Sequence, residues 1–170
     1  MISVKVRRVN ELRRACHLQS RTLETRMPKK VLLVAEDNPD DALLLERALR
    51  RANSRFKMIR VADGNECIAY VAGDGAYQDR TTYPMPSLVL LDLKMPHKDG
   101  FDVLAWRQNT ANGATLPVIV FSSSGLIDDI RRAYLLGANS YVMKPTAPER
   151  LEKMVRTLHD WWADFNLTAA

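Results

Sequence analysis

Five short apolar runs, each followed by a segment with helical spacing, constrain this chain more than any other feature. The runs are VLLVA (31–35), FKMIRV (56–61), SLVLLD (87–92), LPVIVF (116–121) and ANSYVM (138–143). FKMIRV alternates apolar and polar residues, as a strand near a sheet edge does, whereas SLVLLD is continuous and fits a central strand. The helical segments are DALLLERALRRA (41–52), NECIAYVAG after Gly64, FDVLAWRQN after Asp99-Gly100, LIDDIRRAYLLG (126–137) and a last one from Pro148 to Phe165. Gly137 suits a helix C-cap. Residues 73–86, with two glycines and two prolines, read as a turn-rich loop, and 109–115 as a polar loop. A strand–helix unit repeated five times predicts an α/β fold, with a parallel sheet covered on both faces. Right-handed crossovers make that sheet doubly wound. Chemistry in such sheets gathers beyond the carboxyl ends of the strands.

Those ends are unusually polar. Strand 1 runs into Glu36-Asp37, strand 3 ends in Asp92, strand 4 in Ser122 and strand 5 in Lys144. The topology predicts that all five residues meet at one rim. Three crowded carboxylates repel one another, and a lysine or a divalent cation with oxygen ligands relieves that cost. With no His/Cys cluster beside them, the hard ligand set points to Mg²⁺ rather than zinc.

The motifs EDNPDD after strand 1, LLDLKMPHKDG around Asp92, FSSS after strand 4 and YVMKP on strand 5 occur in that order. Together they make residues 29–165 resemble the receiver domains of bacterial two-component response regulators. The resemblance implies a flavodoxin-like sheet of strand order 2-1-3-4-5 with five helices, and Mg²⁺ as cofactor. It implies that Asp92 is the phosphoacceptor, attacking the donor phosphorus to form an acyl phosphate. Asp37 matches the direct metal ligand, Glu36 the acidic neighbour acting through water, and the Lys94 backbone carbonyl completes the metal site. Lys144 and Ser122 would contact the phosphoryl group. Tyr141 matches the aromatic switch position, which turns inward when Ser122 moves toward the phosphoryl group. The family also implies a sensor histidine kinase as partner, and a phosphoacceptor rather than a turnover enzyme. EDNPDD, LLERAL and the long 73–86 loop look like the single-domain regulators paired with bacteriophytochrome kinases.

Plainer roles stand beside these. Glu36, Asp37 and Lys144 are compatible with a structural ion-pair cluster, Ser122 with a helix N-cap, and Tyr141 with half-buried strand packing. A receiver fold that is never phosphorylated is a second functional class. An aspartyl-phosphate hydrolase of the haloacid-dehalogenase pattern wants an acid two residues after the nucleophile, where Lys94 stands. The chain also lacks GxxxxGK[ST], the phosphate-binding loop of many nucleotide enzymes.

Charge adds no nucleic-acid argument for the folded part. The formal net charge is +5. It resides in residues 1–26, where Lys5, Arg7, Arg8, Arg13, Arg14, Arg21 and Arg26 face only Glu11 and Glu24, and the rest is neutral overall. Residues 1–28 are read as a basic N-terminal extension, with a disordered tail, an extra helix and an upstream start codon as alternatives. No run reaches the length of a membrane-spanning helix. Cys16 and Cys67 lack CxxC spacing, which fits a reducing cytoplasm. After Pro145 about 25 residues remain, enough for one helix and a tail at 166–170, so no DNA-binding domain is expected and output passes to a protein or phosphotransfer partner. Adjacent Trp161 and Trp162 point about 100° apart on a helix. One of them is therefore a candidate for a homodimer or partner interface.

Overall fold

A computed structural model describes residues 30–166. The basic extension expected at 1–28, Cys16 within it, and residues 167–170 of the expected tail lie outside the described residues. Five parallel strands are β1 (Val31–Ala35), β2 (Lys57–Val61), β3 (Leu88–Leu91), β4 (Val118–Ser122) and β5 (Ser140–Met143). Their order is β2-β1-β3-β4-β5. The five main helices are α1 (Pro39–Arg51), α2 (Gly64–Ala72), α3 (Gly100–Gln108), α4 (Ile127–Leu135) and α5 (Pro148–Leu158).

Alternation along each strand splits the core into two layers. Leu33 and Ala35 of β1 pack with Cys67 and Tyr70 of α2, Leu104 of α3 and Ala133 of α4. Leu32 and Val34 pack on the other face with Leu45 and Leu49 of α1 and Leu151 and Val155 of α5. β1, β3 and β4 are buried along their whole length, whereas β2 and β5 are partly exposed. That is the burial expected for central and edge strands. Each fully buried leucine contributes about 1.5–3 kcal/mol relative to an exposed one, so this two-sided core fixes the register that brings the strand ends together.

Three local features differ from the sequence reading. α1 begins at Pro39 rather than 41, because the Asn38 side chain caps it by accepting from the Asp40 N–H at 2.9 Å. The expected polar loop at 109–115 contains one helical turn, Ala111–Ala114. The last helix does not continue as an α-helix to Phe165. It widens into a π-turn over His159–Phe165, held by Lys30 Nζ donating to the Trp162 carbonyl at 3.0 Å and that of Asn166 at 3.3 Å. The two indoles part as the helical geometry predicts: Trp162 packs on the α1/α5 core layer, and Trp161 is 59% exposed.

Candidate functional site

Sheet register carries the candidate residues to one rim. Ala35 pairs with Leu91, and Ser122 with Met143. The next residues are Glu36 on β1, Asp92 on β3 and Lys144 on β5. Backbone bonds extend the ladder just far enough to hold them: Asp92 N–H donates to the Ala35 carbonyl at 3.0 Å, and Lys144 N–H to that of Ser122 at 2.8 Å. The turn after Asp92 is tightened by Gly100, whose N–H donates to the Leu93 carbonyl at 3.1 Å. A Cβ at position 100 would overlap the Asp92 carbonyl, so only glycine lets α3 start this close to the acceptor strand. Asp99 and Asp102 then close a capping box on α3.

Lys144 is the hub of the rim. Its Nζ lies 2.6 Å from Glu36 Oε2, 2.8 Å from Asp92 Oδ2 and 3.0 Å from Asp41 Oδ2. Glu36 is 2% exposed and Asp92 6%. Burial pushes the Glu36 carboxyl above the ordinary glutamate value, and the Lys144 hydrogen bond only partly offsets that. For Lys144 burial works downward, but hydrogen bonds to Asp92 and Glu36 outweigh it and hold the ammonium above the ordinary lysine value. The second Asp92 oxygen accepts from the Leu93 N–H at 2.6 Å and from the Lys94 N–H at 3.4 Å. Asp92 is therefore fixed through both oxygens.

Asp37 is exposed and stands outside the lysine cluster. Glu36, Asp37 and Asp92 nevertheless each offer an oxygen, all within 4.8 Å of one another. Three hard oxygen donors at one edge suit Mg²⁺ or Mn²⁺, with water completing the coordination. A second such group among the described residues, His159, Asp160 and Asp164, is tied to Arg55 through Asp164.

Ser122 and Tyr141 lie on adjoining strands beside this cluster. Ser122 is fully buried at the end of β4. It does not cap α4, whose N-cap is Leu126, so the capping alternative fails. Its Oγ accepts from the Ser124 N–H at 3.4 Å. Tyr141 is half-buried, and its hydroxyl donates to the Ser124 carbonyl at 2.8 Å. The ring is thus turned toward the β4–α4 loop. Ser124 Oγ donates to Asp129 in the first turn of α4.

Two site residues escaped the sequence reading. Asp41 is the third carboxylate on Lys144; its spacing from Asp37, four residues on, becomes informative only once α1 is known to start at Pro39. Arg60 of β2 donates to the backbone carbonyls of Glu36 at 2.9 Å and Asp37 at 2.7 Å, fixing the acidic turn. Nothing in an exposed arginine on an alternating strand signals that role.

A family model described as the response regulator receiver domain matches residues 32–156. The chain belongs to the response regulator receiver family. It is 33% identical over 137 residues to response regulator Rcp1 of Synechocystis sp., covering 81% of this chain and 91% of that protein. The Mn²⁺-bound structure of Rcp1 superposes with a TM-score of 0.74 at 32% identity, over 83% of this chain and 99% of that one. Response regulator RPA3017, from red-light signalling in R. palustris, gives 0.79, and the phosphorylated cyanobacterial phytochrome response regulator RcpA gives 0.76. Both are 32% identical over 83% of this chain and 99% of theirs. Among these relatives, Rcp1 is seen with Mn²⁺ bound and RcpA in a phosphorylated form. Among the described residues no helix is long and apolar enough to cross a membrane.

Proposed function

We propose that this receiver is a phosphorylation switch in which Asp92 takes a phosphoryl group from a histidine kinase of the bacteriophytochrome type. The observation that carries the reading is the buried Asp92 carboxylate, bonded to Lys144 at 2.8 Å beside Glu36 and Asp37. The kinase class is supported by the resemblance to regulators of phytochrome and red-light signalling. One Asp92 oxygen attacks the phosphorus, and the P–N bond to the donor histidine breaks with its electron pair left on the imidazole. Lys144 stays protonated and donates to a phosphoryl oxygen. Ser122 Oγ–H donates to another, exchanging its contact with the Ser124 N–H for one with the phosphoryl group. Glu36, Asp37 and Asp92, with the Lys94 carbonyl, would hold Mg²⁺, which supplies positive charge against the phosphoryl oxygens.

Ser124 links this event to the surface. It bonds Ser122, Tyr141 and Asp129 at once, so a shift of Ser122 changes the face formed by α4, β5 and α5. That two-state element is biased by the added charge. Output passes through protein contacts on that face, with the exposed Trp161 available to a partner or a second copy. The receiver unit spans 29–165, flanked by a basic extension at 1–28 and a tail at 166–170, and works in the cytoplasm. It assists its own phosphorylation and dephosphorylation and has no metabolite substrate.

Incubation with Mg²⁺ and acetyl phosphate tests the reading. Intact mass should rise by one phosphoryl group in the wild type and stay unchanged in Asp92→Asn. A wild type left unmodified, under conditions that modify a known receiver, would favour a receiver fold used only for binding.

A further inference from the structure

Three carboxylates share the Lys144 ammonium. An ammonium carries three N–H groups, and Glu36, Asp92 and Asp41 lie at 2.6, 2.8 and 3.0 Å from Nζ. A phosphoryl group arriving on Asp92 therefore meets a lysine that is already committed. The phosphoryl oxygens compete with these carboxylates for the ammonium, and the three contacts are not equivalent. The Glu36 side chain is 3% exposed, so releasing it would leave a buried charge without its cation. The Asp92 contact passes to the phosphoryl group itself. Asp41 makes the longest contact, and its side chain is 38% exposed, so water can replace the lysine. It also sits in the first turn of α1, where the N–H groups and the helix dipole favour a free carboxylate.

We propose that Asp41 is a charge brake on phosphoryl transfer. It holds Lys144 in the unmodified site, repels the incoming anionic donor, and yields the ammonium when the phosphoryl group is in place. The inference rests on Asp92 being the acceptor. With acetyl phosphate the step balances simply. An Asp92 oxygen forms the new P–O bond, the P–O bond to acetate breaks, acetate departs with the electron pair, and Lys144 keeps its protons. The Asp92–Lys144 contact passes to a phosphoryl oxygen, and the Asp41–Lys144 contact is the one that loosens as the phosphoryl charge draws the ammonium. Asp41 acts through Lys144 and is a positioning residue.

Asp41→Asn removes the charge and keeps an oxygen acceptor. A like charge one cation away from the phosphoryl group is worth about tenfold in its binding. The initial rate at limiting acetyl phosphate should thus rise about tenfold, through a lower half-saturating donor concentration, with a smaller change at saturation. Asp41→Glu, which keeps the carboxylate, should stay near wild type. Asp40→Asn is the charge control, because Asp40 is exposed in the same turn and has no ion pair among the described residues. The brake is refuted if Asp41→Asn leaves the half-saturating concentration unchanged or raises it, or if Asp40→Asn lowers it equally. Either result, with Asp92 still phosphorylated, sinks this inference alone. If neither wild type nor Asp41→Asn gains a phosphoryl group, the functional reading falls and the brake falls with it.

Discussion

Removing Lys144 should unmask what one cation does for two buried carboxylates. Among the described residues Lys144 is the cation paired with both Glu36 and Asp92, at 2.6 and 2.8 Å, and the two acidic side chains are 3% and 7% exposed. Taking away one member of a buried ion pair strands the other charge, at a cost of about 3–5 kcal/mol. In Lys144→Ala two carboxylates are stranded, but Glu36 is already pushed toward its neutral form by burial, which keeps the loss within that range. For a domain with a urea dependence of about 2 kcal/mol per molar, the unfolding midpoint in chelator should fall by roughly 2 M. Divalent cation should then rescue the variant more than it helps the wild type. The same carboxylates that bind the ammonium also face the metal site, so losing Lys144 removes a competitor. At a hundred times its dissociation constant, a ligand adds about 2.7 kcal/mol. The assay is urea unfolding followed by tryptophan fluorescence, with and without Mg²⁺. A variant within about 1 kcal/mol of wild type in chelator, or equal Mg²⁺ stabilisation of both proteins, refutes the reasoning.

Other consequences can be checked by stability alone. Arg107 on α3 is 8% exposed and donates to the carbonyls of Leu116 at 2.8 Å and Gly137 at 2.7 Å. Arg107→Leu strands these acceptors at a cost of about 2–4 kcal/mol, so Tm should drop on the order of 10 °C. An unchanged melt would show that the loops reorganise freely. Burial pushes the Cys67 thiol up from 9.0 to about 12. The folded state therefore holds its proton where the unfolded chain loses it, and this stability contribution declines as pH rises above 9. On a Cys16→Ser background, Cys67→Ala should flatten the alkaline fall in stability, and the native Cys67 thiol should resist iodoacetamide at pH 8. Fast native labelling would contradict its burial. Tyr141→Phe loses one hydrogen bond to the Ser124 carbonyl and should cost about 1 kcal/mol. A midpoint identical to wild type in urea would show that the hydroxyl does not anchor the loop.

Much of the rim was readable before any coordinates because strand-end chemistry is a local signal. VLLVA followed by Glu36-Asp37, SLVLL followed by Asp92, and ANSYVM followed by Lys144 each mark a strand and the polar residue it delivers. Parallel strands all deliver to the same edge, so five segments sufficed to predict one cluster. Asp41 stayed hidden because its role depends on where α1 begins, and that start is decided by the Asn38 cap and the fixed φ of Pro39 rather than by apolar periodicity. Arg60 and Arg107 stayed hidden for another reason. Both satisfy backbone carbonyls of other segments of the chain, and a carbonyl has no sequence signature.

The acidic rim centred on Asp92 was thus fixed by the order of strands, helices and strand-end residues, since hydrophobic alternation and handed crossovers leave one arrangement for five such units. How three carboxylates share Lys144, which indole faces out, and where the Tyr141 hydroxyl bonds were decided only in the tertiary structure. Each depends on distances between side chains from separate elements, and a few tenths of an ångström or one helical turn changes the outcome without changing the pattern of residues.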